Sequence, residues 1–197
     1  VYIRGVGDIT RFPTIPNHVR VLSAGPIQII PVGNLPGSTE DQLPESGTAV
    51  SNGVLDYLSL PRVIEPIIIE NGTISVTKLS GFNIDLASYY ENNEVDETNN
   101  GAGIIVNEMI GDVRIEYNRI AGVPQTGIDV NLTTPGTGNL SIQSNELNVV
   151  GIAGAEGSSP TGIDVNIADG EGMGNLEILD NTINVTGAED QKPSALY

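Results

Sequence analysis

Apolar and polar residues alternate one for one through many short segments of this chain, as in Ile128-Asp129-Val130 and Leu176-Glu177-Ile178. A period of two marks a strand with one buried face, and runs with the helical period are absent. The segments also repeat. Thr126-Gly127-Ile128-Asp129-Val130-Asn131 returns letter for letter, 35 residues later, as Thr161-Gly162-Ile163-Asp164-Val165-Asn166. Each copy precedes a glycine-rich stretch and a second shared block. In that block Gly138-Asn139-Leu140-Ser141-Ile142-Gln143-Ser144-Asn145-Glu146-Leu147 matches Gly174-Asn175-Leu176-Glu177-Ile178-Leu179-Asp180-Asn181-Thr182-Ile183, with the pattern aliphatic-x-x-Asn-x-aliphatic. A third copy lies upstream in Gly103–Asn107 and Ile115–Ile120, its first block starting 24 residues before the next. A fainter fourth copy follows from laying Glu70–Thr77 over Asp180–Thr186 with one inserted glycine, Gly53-Val54-Leu55-Asp56 serving as its first block.

A unit of about 25 to 35 residues carrying two short strands cannot bury its own apolar face, so it must stack on its neighbours with strands paired in parallel. The expected fold is therefore all-β, a β-solenoid. The interruptions Leu132–Gly138, Gly151–Pro160 and Ile167–Gly174 fall between blocks and are expected as outward loops. Upstream, His18–Ile30 reads as strand broken at Gly25-Pro26, and residues 33–48 as a loop or irregular cap. Residues 1–17 read as an extended arm through which Pro13 and Pro16 forbid a helix.

The Gly-Ile-x-Val block followed by Ile-x-x-Asn-x-Ile resembles the repeats of the pectin-lyase-like superfamily over roughly residues 66–187. The resemblance implies a right-handed parallel β-helix with an irregular N-terminal cap: residues 1–52 as arm and cap, 53–187 as coils, 188–197 as a C-terminal tail. In that family an asparagine at the turn after a strand stacks on its counterpart in the next coil. Asn118, Asn145 and Asn181, with Asn71 as a further member, hold that place here. Asparagine suits it because it tolerates left-handed backbone and its amide satisfies buried turn groups.

Composition narrows the function. The chain holds 25 acidic against 8 basic residues, a net charge of −17, which excludes duplex nucleic acid and anionic membrane as partners. No apolar run approaches the length of a membrane span, so no insertion is expected. Cysteine is absent, which excludes disulfides, thiolate zinc sites and a cysteine nucleophile. The single histidine, His18, lies before the repeats, leaving little material for Ser-His-Asp chemistry. The chain starts at Val1 rather than Met, as a processed form or an excised piece would.

Stacked coils lie ~4.8 Å apart, so Asp129 and Asp164 are expected nearly over one another on the outward face, with Asn131 and Asn166 beside them. Three readings stand side by side. The row is a solvated face, or a Ca2+ site, or an acid/base pair at a retaining-glycosidase separation of ~5 Å. Polygalacturonase-like members of the superfamily carry Asn-Thr-Asp, Asp-Asp, Gly-His-Gly and Arg-Ile-Lys motifs, and these are missing here. Pectate-lyase-like members pair acidic Ca2+ ligands with a basic proton abstractor. Asp129, Asp164 and Arg119 are therefore the catalytic candidates, against a simple Arg119–Glu146 ion pair one coil on. Oxygen-rich loops add Glu94, Asp96, Glu97, Asp169 and Glu171 as Ca2+ candidates, against plain solvated loops. Tyr89-Tyr90 reads as a sugar-stacking platform or as packing over a strand end. Asn71, Asn131, Asn139 and Asn184 lie in Asn-x-Ser/Thr sequences.

A stack has two open ends whose strands pair with another chain unless covered. Only Ala188–Tyr197 follow the last repeat, a thin cap. The expected function is a non-enzymatic structural module, secreted or displayed at a cell or particle surface. It would self-associate through its open ends or terminal arms, as a filament, surface or adhesin subunit. The alternatives are a polysaccharide-cleaving enzyme, or a carbohydrate- or calcium-binding module of a phage tail or surface protein.

Overall fold

The computed structural model describes residues 2–3, 8–9, 14–16, 19–23, 28–29, 48–49, 58, 60–93, 95, 100–132, 136–151, 159–168, 173–188 and 191–197. In chain order the strands are β1 (Tyr2–Ile3), β2 (Asp8–Ile9), β3 (Arg20–Ser23), β4 (Gln28–Ile29), β5 (Thr48–Ala49), β6 (Arg62–Val63), β7 (Ile67–Asn71), β8 (Val76–Ser80) and β9 (Asn83–Asp85). A short helix, α1 (Ala87–Asn92), follows. Then come β10 (Ala102–Met109), β11 (Asp112–Glu116), β12 (Arg119–Val123), β13 (Thr126–Leu132), β14 (Leu140–Gln143), β15 (Glu146–Val150), β16 (Thr161–Ile167), β17 (Leu176–Leu179), β18 (Thr182–Thr186) and β19 (Ser194–Leu196).

These strands form three all-parallel sheets, which the chain visits in rotation. The first runs β1-β3-β8-β11-β14-β17, the second β2-β6-β9-β12-β15-β18, and the third β7-β10-β13-β16-β19. Ile15 extends the third by a parallel bridge to Ile69. The exception is the antiparallel pair β4-β5, which lies between β3 and β6 in the chain. Stacked parallel sheets of this kind are compatible with the expected solenoid.

The alternation read from sequence sets which residues point inward, and the register stacks them in columns. One column runs Val21, Leu79, Ile115, Ile142, Ile178. Another runs Ile9, Val63, Ile84, Ile120, Leu147, Ile183. The third sheet supplies Ile67, Ile104, Ile128, Ile163 and Leu196. The central members of each column are fully buried, each contributing on the order of 1.5–3 kcal/mol by leaving water. Stacked glycines flank the third-sheet column. A Cβ at Gly127 would sit 2.5 Å from the Gly162 carbonyl oxygen and 2.6 Å from Leu147 Cδ2, and one at Gly103 would sit 2.8 Å from the Gly127 oxygen.

Three findings correct the reading of the repeat. The second block supplies two strands, not one: β14 and β15, or β17 and β18, lie either side of its asparagine. The left-handed residue at that corner is the one before the asparagine: Tyr117, Ser144 and Asp180 have φ of 56°, 53° and 54°, and Gly81 has φ of 85°. Asn71 is not in the asparagine column, because β7 belongs to the third sheet and Phe82 holds that place. Gly53–Asp56 lie outside the described residues.

The ladder itself is present. The backbone N–H and Nδ2 of Asn118 donate to Asn145 Oδ1 at 2.9 and 3.1 Å. Those of Asn145 donate to Asn181 Oδ1 at 2.9 and 3.0 Å. Phe82 N–H donates to Asn118 Oδ1. A second ladder, unforeseen from sequence, runs along another corner: Asn139 N–H and Nδ2 donate to Asp112 Oδ1, and Asn175 N–H donates to Asn139 Oδ1. Asn71 instead closes the turn after β7, its Nδ2 donating to the Ser75 and Asp112 carbonyls.

Within residues 1–52, β1, β2, β3 and Ile15 pair into the same three sheets as the repeats, and the tail supplies β19. The expected boundary at 52–53 lies outside the described residues, as do residues 33–47 of the expected loop or cap. Among the described residues no helix is long and apolar enough to cross a membrane.

Candidate functional site

The identical Thr-Gly-Ile-Asp-Val-Asn blocks form β13 and β16, which pair in strict register: Thr126 with Thr161, Asp129 with Asp164, Asn131 with Asn166. The side chains opposite the isoleucines therefore stack on the outer surface of the third sheet. They floor a groove of about 640 Å³ whose walls include Asn100, Gln125, Lys192, Ser194 and Tyr197. The lining side chains carry amides, hydroxyls and carboxylates, with one amine from Lys192.

The two aspartates are not equivalent. Asp129 is only 8% exposed, and Asn100 Nδ2 donates to its Oδ2 at 2.9 Å. A freely solvated row would leave it open to water. Asp164 is less covered, but its Oδ1 is shielded from solvent and has no hydrogen-bond partner among the described residues. Burial first, and the charge of Asp129 second, push the Asp164 carboxyl above its ordinary range. Asp164 thus holds its proton to higher pH than a surface aspartate and in that form can donate a hydrogen bond into the groove.

Arg119 is not brought to this pair. It lies in β12 of the second sheet, where its Nε meets Glu146 Oε1 at 3.3 Å and its Nη1 donates to Asn83 Oδ1 at 3.0 Å. The proposed Asp129–Asp164–Arg119 grouping therefore falls on two different sheets, and the ion pair one coil on is what the arginine forms. Glu94, Asp96, Glu97, Asp169 and Glu171 lie outside the described residues, as does His18. Among the described residues there is no group of three or more His, Cys, Asp or Glu that could hold a metal ion.

The tyrosines pack rather than project. Tyr89 and Tyr90 meet edge to face at 5.0 Å, and Tyr90 Oη donates to the Ala102 carbonyl at 2.8 Å. Of the Asn-x-Ser/Thr asparagines, Asn71 is fully buried.

The groove residues missed in the sequence come from outside the repeat blocks. Asn100 closes the loop before β10, with φ of 46°. Ser194 and Tyr197 come from the tail, where β19 pairs Ser194 with Thr161 and Leu196 with Ile163, and Tyr197 N–H donates to the Ile163 carbonyl. A signal for the tail was there: Ser194-Ala195-Leu196 keeps the small-small-aliphatic spacing of Thr161-Gly162-Ile163. Compared with protein-family models, with curated proteins and with solved structures, the chain matches none of them.

Proposed function

We propose that the chain is a non-enzymatic structural module, a right-handed parallel β-helix of the pectin-lyase-like kind, that self-associates through an open end at an extracellular or particle surface. One observation carries this reading. In the rung formed by β14 and β15, Ile142, Leu147 and Val149 are fully buried. One rung on, their counterparts Ile178, Ile183 and Val185 are only half-buried, and Leu176, Leu179, Leu196 and Tyr197 are 43%, 50%, 54% and 82% exposed. Among the described residues, β17 and β18 have no strand on their outer side. Such an apolar edge is a template for another strand. Sedimentation velocity over a range of concentrations tests this: growing oligomers are expected, and a monomer at every concentration overturns it.

The groove favours a second reading, a carbohydrate-binding module. Amides, hydroxyls and the carboxyl groups of Asp129 and Asp164 offer the donors and acceptors that a polyhydroxyl ligand needs, and Tyr197 offers an exposed ring at its rim. A melting shift on a panel of glycans, with Ca2+ titrated separately, supports it. No shift with any glycan removes it.

A further inference from the structure

Resting on the carbohydrate-binding reading of the groove, we infer that its ligand carries a protonated amino group, so that it is an amino sugar and not a neutral or acidic one, and that Asp129 and Asp164 hold that group between them.

The pair is short of donors. β13 and β16 are in register at Asp129 and Asp164, so the two carboxylates project from one face a single rung apart, about 4.8 Å between backbones, and one small cation reaches both. Among the described residues the hydrogen bond to this pair is the one from Asn100 Nδ2 to Asp129 Oδ2. Asp164 Oδ1 is shielded from solvent and has no partner there. On the far side of Asp129 the same row continues to Ile105, which is 2% exposed and has neither charge nor side-chain donor to offer. Buried acceptors left without a donor are costly, so a group that enters beside them is favoured if it donates.

Charge selects the donor. A sugar hydroxyl brings one proton to the pair and leaves the two carboxylates facing each other, whereas an ammonium group brings three donors and the opposite charge. It thereby offsets the burial and the Asp129 charge that raise the Asp164 carboxyl. A uronate or a phosphorylated sugar would add a further negative charge. Ca2+ asks for about six to eight oxygens, and the described residues hold no group of three or more His, Cys, Asp or Glu for a metal. The groove's own cation, Lys192, is exposed, and the ion pairs among the described residues join other side chains. Asn131 and Asn166 stand two residues further along the same strands, about 7 Å away on the same face, where their amides can meet ring hydroxyls of the same ligand.

The test is titration calorimetry of the full chain at pH 6 with three ligands of equal length: the glucosamine tetramer, its fully N-acetylated form and the glucose tetramer. The glucosamine tetramer should bind at least about tenfold more tightly than either neutral one. Asp129→Asn and Asp164→Asn, each first shown by its melt to be folded, should each remove that preference. Glu177→Gln removes an equal charge from an exposed position on the first sheet and should leave the preference intact. If Glu177→Gln lowers it as much as Asp164→Asn does, the amine answers only the acidity of the whole chain, and the inference falls. If the glycans that bind are neutral or acidic ones, or bind as tightly as the glucosamine tetramer, the inference falls while the carbohydrate-binding reading stands. If no glycan binds, both fall.

Discussion

Asn145 is the place where a single side chain carries most of a corner. It is 1% exposed, accepts from the backbone N–H and Nδ2 of Asn118, and donates from Nδ2 to the Ile115 carbonyl at 2.9 Å. Asn145→Ala takes the acceptor from the Asn118 N–H and the donor from the Ile115 carbonyl, both away from water. Asn118 Nδ2 keeps the Leu79 carbonyl, at 3.3 Å. Leaving a buried polar group unsatisfied costs about 1–3 kcal/mol, so two such losses give about 2–6 kcal/mol. The matching substitution in the second ladder, Asn139→Ala, removes the Nδ2 bond to Asp112 Oδ1 and the acceptor of the Asn175 N–H, both 2.9 Å, but at an exposed residue where water replaces them, and should cost under about 1 kcal/mol. Urea unfolding of the two variants, with hydrogen exchange at the Asn118 amide, measures the difference. Equal losses from the two variants would refute the claim that burial of the ladder, rather than its hydrogen-bond count, sets its worth.

Three further outcomes are expected. Asp164→Asn tests the raised carboxyl: a folded-state pKa above the unfolded one means that stability present at low pH is lost as pH climbs through the folded value. The variant should therefore melt higher than the parent at pH 7 and level with it near pH 3, and a lower melting temperature at pH 7 would contradict this. Gly127→Ala forces a Cβ to 2.5 Å from the Gly162 oxygen and should destabilise by about 1–3 kcal/mol in a thermal melt; an unchanged melt would mean that the stacked backbones yield. A double-mutant cycle on Arg119 and Glu146 should return under about 1 kcal/mol, since Glu146 is 37% exposed at its side chain. A larger coupling would show that the pair acts through Asn83.

The strands and their stacking were legible because period-two alternation and a six-residue identity are both direct consequences of rungs lying on rungs. Asp129 over Asp164 and Asn118 to Asn181 followed from register alone. The corner's three-sheet geometry did not, since Ser144 and Asp180 adopt left-handed backbone that nothing in their side chains demands. Asn71 went to the wrong corner because sliding Glu70–Thr77 over Asp180–Thr186 matched letters across two different sheets. The groove was half visible: its floor is repeat, whereas Asn100 and the tail residues reach it through one loop and one added strand. Asn100 donates to Asp129 from outside the repeat, so the pattern of the repeat alone left the solvated reading of the row standing beside the others.

The corner between the first and second sheets is two residues wide in four successive turns, from β8 to β9, β11 to β12, β14 to β15 and β17 to β18. Between β3 and β6, at that same corner, 38 residues intervene, yet both strands keep their places in their columns. Alignment in this molecule is therefore enforced sideways, by the neighbouring layer, and not by the length of the connection. Foreign peptide spliced in at such a bend should ride on the outside of the scaffold like a flag on a mast, with the mast unchanged.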